Sequence, residues 1–225
     1  MVVVDDGSTD ETPRILERLA REDARVRTVR HDRNRKLPAA LNTGLGAASG
    51  EFLTWTSDDN RFTPDAIARL LRYLGRHPNV AFVYSDYWLI DADGDTVRRV
   101  HAGPPSHLND CCFVACFLYR RKVYEVCGEY DPSLFRIEDY EYWLRVSKQF
   151  RLGWLEEPLY FYRRHRRSLT ADDELEQRAR RFDLVRSRHF GVERGRYRRV
   201  LSQLRLADAF GGTSVAIGRA SSGRR

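Results

Sequence analysis

Apolar and polar positions follow two different patterns in the first part of the chain. Val2–Val4 is a continuous apolar run, as expected for a strand buried on both faces of a parallel sheet, and residues 26–29 and 51–56 are further strand-like runs. Between them, the spacing of apolar residues and the flanking turn residues predict helices over about 10–21 and 38–48. The order strand–helix–strand–helix–strand is typical of an α/β sheet.

The second half of the chain has shorter and more varied patterns. Asp91–Asp95 is a hairpin-type turn. Residues 211–225 are rich in Gly, Ser and Arg, a composition that predicts disorder. The other predicted elements are a helix over 64–76, strands over 80–89, 112–120 and 152–162, a helix from about 138, and basic helical sequence from about 172.

The charge of the chain invites a nucleic-acid interpretation. The 225 residues carry a formal net charge of +7, and 42% of them are hydrophobic, as in an ordinary globular domain. Lysine, however, occurs only at Lys36, Lys122 and Lys148, and such an arginine skew is more simply explained by codon usage in a GC-rich genome. We therefore expect no nucleic-acid partner. Loose attraction of the late basic segments to anionic lipid or to a phosphorylated acceptor is the electrostatic expectation.

The sequence shows no sign of a membrane span or of secretion. No apolar run approaches ~20 residues, and Met1 is followed directly by Val2–Val4 without a basic segment or a cleavage site. The expected location is cytoplasmic, with peripheral contact to the inner face of the membrane as a further hypothesis.

The four cysteines do not have a standard zinc spacing, and no histidine follows at a matching interval. Their apolar neighbours favour reduced thiols in the core of the protein. The residues concerned are Cys111, Cys112, Cys116 and Cys127.

Adjacent carboxylates stand at the ends of two predicted strands, Asp5–Asp6 after the first and Asp58–Asp59 after the third. Ligands of open α/β sheets bind beyond the carboxyl ends of the strands, which favours a site over a turn. Two neighbouring carboxylates repel each other unless a cation is present, and Mg²⁺ or Mn²⁺ binds through one or two carboxylates plus substrate phosphates. The alternative is a surface turn in which Asp59 or Asn60 caps the next segment.

Glu138–Asp139 opens a helix that is rich in aromatic residues. The simple interpretation is capping, because acidic side chains in a first turn are stabilised by the helix dipole. A carboxylate held near aromatic surfaces can also have a raised pKa and act as a general base. The Asp5–Ser8 turn lacks the glycines of a dinucleotide-binding fingerprint, so a dinucleotide is not expected.

Several segments together carry a specific resemblance. In order they are Val3–Thr12, Leu41–Gly44 with Ala48–Glu51, Ser57–Asn60, Glu138–Arg145, and Tyr162–His165 with Ser168 and Thr170. Over roughly residues 1–170 the chain resembles a family 2 glycosyltransferase of the GT-A type. The resemblance implies a three-layer α/β/α sandwich. It also implies an inverting transferase that uses a UDP- or dTDP-linked sugar and Mg²⁺ or Mn²⁺, with a saccharide or lipid-linked hydroxyl as acceptor.

The resemblance further implies roles for individual residues. Asp5 would contact the base of the nucleotide, Asp58 would lie nearer the ribose, and His165 would lie in a late loop that closes on the diphosphate or the metal. The acceptor pocket would use residues from about 111 to 143. The implied nucleotide-binding residues are Asp5, Asp6, Ser8, Arg35, Lys36 and Asp58; the metal ligands are Asp59 and His165; the catalytic base is Asp139; and Glu138 and Trp143 are on the acceptor side.

The sequence departs from the family pattern in two places. The family often has an arginine where this chain has Leu41, so contact with phosphate or base is expected from Arg33, Arg35 or Lys36. Members usually begin with one further strand and helix, so the chain is expected to start, truncated, at the family's second strand.

The expected organisation is a transferase-like domain over 1–170, a basic helical extension over 171–210, and the tail over 211–225. Two alternatives stay open. One is a truncated, catalytically inactive paralogue that binds a nucleotide weakly or not at all. The other is a sugar nucleotidyltransferase, although the Gly-rich loop of that class is not seen after the first strand.

Overall fold

The computed structural model describes residues 1–106, 114–165, 168 and 175–190. The helices of this part are α1 (Thr12–Glu22), α2 (Leu37–Ala47), α3 (Ala66–Arg76), α4 (Arg121–Cys127), α5 (Glu138–Gln149) and α6 (Leu175–Phe190). The strands are β1 (Val2–Asp5), β2 (Arg27–Arg30), β3 (Phe52–Leu53), β4 (Arg61–Phe62), β5 (Phe82–Ile90), β6 (Thr96–Val100), β7 (Cys116–Arg120) and β8 (Leu152–Arg163).

The described strands form two sheets. β1 and β2 pair in parallel as a two-stranded sheet. The second sheet has the order β3-β7-β5-β8-β4, with β6 also paired to β5, and it is mixed: β5 runs parallel to β8 and antiparallel to β6 and β7. The sequence predicted one sheet for the first three strands. That prediction is wrong for β3, which pairs antiparallel with β7, because an apolar run does not specify its partner strand.

The centre of the fold is β5, where Phe82, Val83 and Tyr84 are fully buried. Since successive side chains of a strand point to opposite faces, β5 contributes to two hydrophobic clusters. Phe82 and Tyr84 pack in the cluster that holds residues of α2, α4 and α5, and Val83 packs with α3 in the other. Helices therefore cover both faces of the six-stranded sheet, as the predicted α/β/α layering requires. β1 differs from the prediction, because Val2–Val4 is only half-buried.

Helix α6 packs against α5. Ala179, Phe182 and Val185 are buried in one cluster with Tyr140 and Leu144 of α5, and the Tyr140 and Phe182 rings are 4.8 Å apart. The described part of the predicted basic extension is thus a helix seated on the domain. Residues 191–210 and the predicted tail over 211–225 lie outside the described residues.

Two remaining expectations concern cysteines and membrane spans. Cys116 is buried on β7, and burial raises the pKa of its thiol to about 12, as expected of a core thiol. Cys127 is half-buried and free, and Cys111 and Cys112 lie outside the described residues. Among the helices that the structure describes, none has the length and apolar character needed to cross a membrane.

Candidate donor and metal site

The turn after β1 is closed by the first of its two carboxylates. Asp5 is buried at the end of the strand, and its Oδ1 accepts a hydrogen bond of 2.9 Å from the backbone N–H of Ser8. The Arg30 guanidinium lies 3.4 Å from Asp5 Oδ2 and also donates to the Ser8 carbonyl. The predicted nucleotide-binding residues Asp5 and Ser8 are therefore held together at the carboxyl end of β1.

Asp6 turns in the other direction and organises a second loop. Its carboxylate accepts hydrogen bonds from His31 Nδ1 at 2.6 Å, from the Arg35 N–H at 2.9 Å and from the Lys36 N–H at 2.8 Å. Burial alone would raise the pKa of Asp6, but these hydrogen bonds hold it below its ordinary value. Because most of its acceptor capacity is used inside the protein, Asp6 acts on a ligand mainly through the loop that it holds.

This basic loop, residues 33–36, lies directly on the β1 turn. Gly7 has a φ of +77°, and a Cβ at this position would be 2.6 Å from the carbonyl carbon of Arg33. Arg35 and Lys36 are exposed at the rim of the turn, and Lys36 itself has a φ of +73°. The structure therefore brings the predicted phosphate contacts Arg35 and Lys36 beside Asp5 and Ser8.

Asp58 and Asp59 lie between β3 and β4. Asp58 is exposed, while Asp59 is partly buried. The next residue, Asn60, accepts a 2.7 Å hydrogen bond from the backbone N–H of Arg163, and the Arg163 guanidinium donates to the Asp59 carbonyl at 3.1 Å. These contacts fix the acidic segment to the end of β8.

His165 follows β8 and reaches the same place. Its Nε2 is 3.2 Å from Asp59 Oδ2, and Asp59 Oδ1 is buried without a hydrogen-bond partner. A carboxylate oxygen that is buried and unpaired beside an imidazole suits a divalent cation, since Mn²⁺ and Mg²⁺ accept carboxylate and substrate-phosphate ligands together. No group of three or more His, Cys, Asp or Glu side chains in the described ranges is arranged to hold a metal. The protein pair therefore fits a cation that completes its shell with phosphate and water.

Helix α5 presents two acidic residues at its start. Glu138 is 3% exposed, and burial together with the charge of Asp139 raises its pKa to about 7. Asp139 is partly exposed, its Oδ1 accepts from the Tyr140 N–H at 2.6 Å, and desolvation raises its pKa. A carboxylate with a raised pKa is a stronger base than an ordinary one, which suits proton abstraction.

Trp143 was predicted on the acceptor side. The structure argues against that position, because Trp143 is only 1% exposed and its ring packs edge-on against Phe117 in the core. The position of Trp143 on α5 explains why the prediction and the structure differ. Trp143 lies on the face of α5 that is buried on the sheet, whereas the acidic residues lie at the start of the helix.

Several residues that hold the site together were not predicted. His31 and Arg163 are polar residues just inside or beyond a strand end, a signal that could have raised them as candidates. Asn42, Thr43 and Tyr130 make side-chain contacts that no local sequence pattern indicates.

The family assignment follows from sequence comparison. Residues 1–128 match the family model described as "Glycosyl transferase family 2". The chain belongs to this family. A putative glycosyltransferase of Bacillus subtilis, EpsH, is 29% identical over 184 residues, which cover 75% of this chain and 53% of that protein. The uncharacterized glycosyltransferase EpsJ of the same organism is 26% identical over 215 residues, covering 85% and 62%.

Solved structures show the same fold, as expected for a family 2 chain. Residues 1–349 of S. aureus TarS, in complex with UDP-GlcNAc, superpose with a TM-score of 0.66 at 16% identity, over 94% of this chain and 64% of that one. The mannosyltransferase PcManGT of Pyrobaculum calidifontis, in complex with GDP-Man and Mn²⁺, gives 0.64 at 19% identity, over 93% and 61%. The predicted GT-A fold is confirmed. The chain spans between about half and two thirds of the length of these relatives.

Proposed function

We propose that this chain transfers a sugar from a nucleotide-diphosphate donor to a hydroxyl of a saccharide or lipid-linked acceptor, with inversion at the anomeric carbon. The observation that carries the proposal is the pair formed by Asp59 and His165, 3.2 Å apart, with a buried and unpaired carboxylate oxygen beside it. The unpaired oxygen of Asp59 can accept a divalent cation, and a neutral His165 can bind the same ion. Two solved relatives support a donor of this class, since they bind UDP-GlcNAc and GDP-Man.

The donor would lie across the end of β1 and the metal pair. Asp5 would contact the base, Ser8 the nucleotide, and Asp58 would lie nearer the ribose. Arg35 and Lys36 carry positive charge to the diphosphate. Mg²⁺ or Mn²⁺ on Asp59 and His165 would stabilise the negative charge of the departing diphosphate.

The chemical step needs a base on the acceptor. The acceptor oxygen forms a bond to the anomeric carbon, the bond from that carbon to the diphosphate oxygen breaks, and the hydroxyl proton must be removed. Asp139 is proposed to take this proton through its carboxylate, a contribution of roughly 10²–10⁴-fold in rate. Its raised pKa matches the task, because a stronger base removes the proton more readily near neutral pH.

The exposed basic residues of α6 suit a second, weaker contact. The side chains of Arg180 and Arg188 are 72% and 52% exposed. We propose that this face rests on anionic lipid at the inner face of the membrane. Flotation with phosphatidylglycerol vesicles, but not with neutral vesicles, is expected; equal behaviour with both would remove the proposal.

The transferase proposal is tested by calorimetric titration of UDP, dTDP and GDP in the presence and absence of Mn²⁺. Metal-dependent binding of one nucleotide is expected for the wild type and for Asp93→Ala, a control in an exposed turn, but not for Asp59→Ala. Equal binding by Asp59→Ala and the wild type would contradict the assigned metal site. A folded wild type that binds none of the three would favour the inactive-paralogue alternative.

A further inference from the structure

The Leu41–Gly44 segment resembles a family motif, yet none of its residues has a role in the chemistry above. In the structure it lies within α2. On one side of it is the turn after β1 (Asp5–Ser8), called the donor-side turn below, and on the other is the segment that leads into α5. Adjacent helical residues point in directions about 100° apart, so Asn42 and Thr43 reach different parts of the protein.

Thr43 faces the donor side. Its Oγ1 lies 2.9 Å from His31 Nε2, and His31 Nδ1 in turn contacts the Asp6 carboxylate. Since a carboxylate only accepts, His31 Nδ1 donates to Asp6. His31 is 7% exposed, so this chain of contacts is shielded from water. Thr43 is thereby connected to the carboxylate that holds the basic loop 33–36.

Asn42 faces the segment that leads into α5, which belongs to the predicted acceptor region of residues 111–143. Its Oδ1 accepts from the Tyr130 N–H at 2.8 Å, and its Nδ2 donates to the Tyr130 carbonyl at 2.9 Å, across 88 residues of sequence. Tyr130 is buried, and its ring stacks on Tyr142 of α5 at 4.2 Å. Its hydroxyl accepts from the Trp55 indole N–H at 2.9 Å. Asn42 is thereby connected to the helix of the predicted base and to the segment between β3 and Asp58.

The helix α2 is also fixed closely to β1. A Cβ on Gly44 would be 3.3 Å from Val4 Cγ2, a contact tighter than most side chains allow. No ladder hydrogen bond joins the β1–β2 sheet to the six-stranded sheet among the strands that the structure describes. The position of the donor-side turn relative to α5 therefore depends on side-chain contacts such as these.

We propose that Asn42 and Thr43 form a joint that sets the position of the donor-side turn relative to Asp139, with Asn42, Thr43 and His31 as positioning residues. The chemical consequence rests on the proposed transferase function; the mechanical coupling does not. When the joint is broken on either side, the donor still binds, but the base is misplaced against the acceptor.

The coupling is tested on the full chain by amide hydrogen exchange without nucleotide. Thr43→Val removes one hydroxyl on the donor side, Thr43→Ser restores it, and Asn42→Ala removes the contact to Tyr130. Ile90→Val is the control, because it removes a methyl group from a fully buried site in β5 whose strand partners are Thr96 and Arg163. Thr43→Val is expected to speed exchange over residues 129–142, and Asn42→Ala over residues 31–36. Thr43→Ser and Ile90→Val should change neither segment. If each of the two variants changes amide exchange only around its own contacts, the proposed coupling is overturned.

The functional arm measures UDP binding with Mn²⁺ and turnover of UDP-sugar at saturating concentration. Asn42→Ala and Thr43→Val are expected to lose on the order of tenfold to a hundredfold in turnover and much less in donor affinity. The double variant should lose no more than the worse single variant, since one broken side disables the whole joint. If the turnover losses of the two single variants add up in the double variant, the proposal is overturned. It is also overturned if the loss of turnover in each variant, Ile90→Val included, simply follows its loss of thermal stability. If the wild type binds no nucleotide, the transferase proposal fails, and the exchange result still decides the joint.

Discussion

Asp59 and His165 are 106 residues apart in the sequence, yet Asp59 Oδ2 and His165 Nε2 are 3.2 Å apart. The link between Asn60 and the Arg163 backbone makes this contact possible, because it fixes the acidic segment to the last residue of β8. β8 runs alongside β5 for most of its length, so the most deeply buried strand of the sheet sets the position of the histidine. The position of this candidate metal pair is thus set by the core of the fold.

His165→Ala is expected to weaken Mn²⁺-dependent UDP binding by about tenfold or more, since one of the two proposed protein ligands is lost. The measurement is the dissociation constant from calorimetry at fixed Mn²⁺. His77→Ala is the matched control, because His77 is an exposed histidine at the end of α3, bonded to the Tyr73 carbonyl. If both variants bind UDP as the wild type does, His165 is not a ligand.

Asp139→Asn is expected to lower turnover by roughly 10²–10⁴-fold without weakening donor binding, because the amide cannot accept the acceptor proton. Thermal stability should be kept or rise, since desolvation makes the charge of Asp139 costly and the amide is neutral. Turnover is measured as the nucleoside diphosphate released in the presence of an acceptor on which the wild type is active. Asp93→Asn, in an exposed turn, should leave both quantities unchanged.

A drop in donor affinity as large as the drop in turnover would assign Asp139 to binding instead. An unchanged rate would require a different base, and Glu138 would then be examined in the same way.

The elements that could be predicted from sequence are those with a long and consistent pattern. β5 has nine residues, eight of them buried, and α5 carries a run of aromatic residues after two acids; both were predicted to within a few residues. Strand β3 was predicted as six residues and has two, because its pairing with β7 is limited to Phe52 and Leu53. Helix α4 was not predicted, since its seven residues lie between two stronger patterns.

Candidate site residues could be proposed from the sequence where their chemistry is local. Paired carboxylates at strand ends indicated both Asp5–Asp6 and Asp58–Asp59. The predictions that needed three-dimensional contacts could not be made: Asn42 meets Tyr130 across 88 residues, and Trp143 turns into the core rather than toward an acceptor. The direction that a residue of an aromatic helix faces is set by packing, and the sequence pattern of α5 is apolar on more than one side.

Glu138 predicts a pH dependence of stability. Its pKa is about 7 in the folded protein and near 4.5 when unfolded, so between these values the folded state holds a proton that the unfolded state has lost. The contribution of Glu138 to stability therefore declines as pH rises from about 4.5 and levels off above about 7. Glu138→Gln should gain on the order of 1–3 kcal/mol over the wild type at pH 8, and little at pH 4.5.

The measurement is urea unfolding of both proteins at pH 4.5, 6 and 8, compared as the difference at each pH. Glu125→Gln on the exposed side of α4 serves as the control for replacing a glutamate by its amide. A constant difference between Glu138→Gln and the wild type at all three pH values would show that Glu138 titrates normally.

Gly7 and Gly75 provide a matched pair of glycine-to-alanine changes. At Gly7 the φ of +77° disfavours any side chain, and a Cβ would be 2.6 Å from the Arg33 backbone. Gly7→Ala should destabilise the protein by roughly 1–3 kcal/mol and push the basic loop away from the β1 turn. At Gly75 nothing lies within 4 Å of the added Cβ, and the residue is helical. Gly75→Ala should stabilise by roughly 0.5–1 kcal/mol.

The two variants separate loop position from general stability. UDP affinity measured well below the melting temperature should fall for Gly7→Ala, because Arg35 and Lys36 move with the backbone of residues 33 and 34. It should be unchanged for Gly75→Ala. Gly7→Ala could have a lower melting temperature than the wild type and still bind UDP with the same affinity. In that case the basic loop does not contact the donor, and the positive charge opposite the diphosphate must come from elsewhere in the chain.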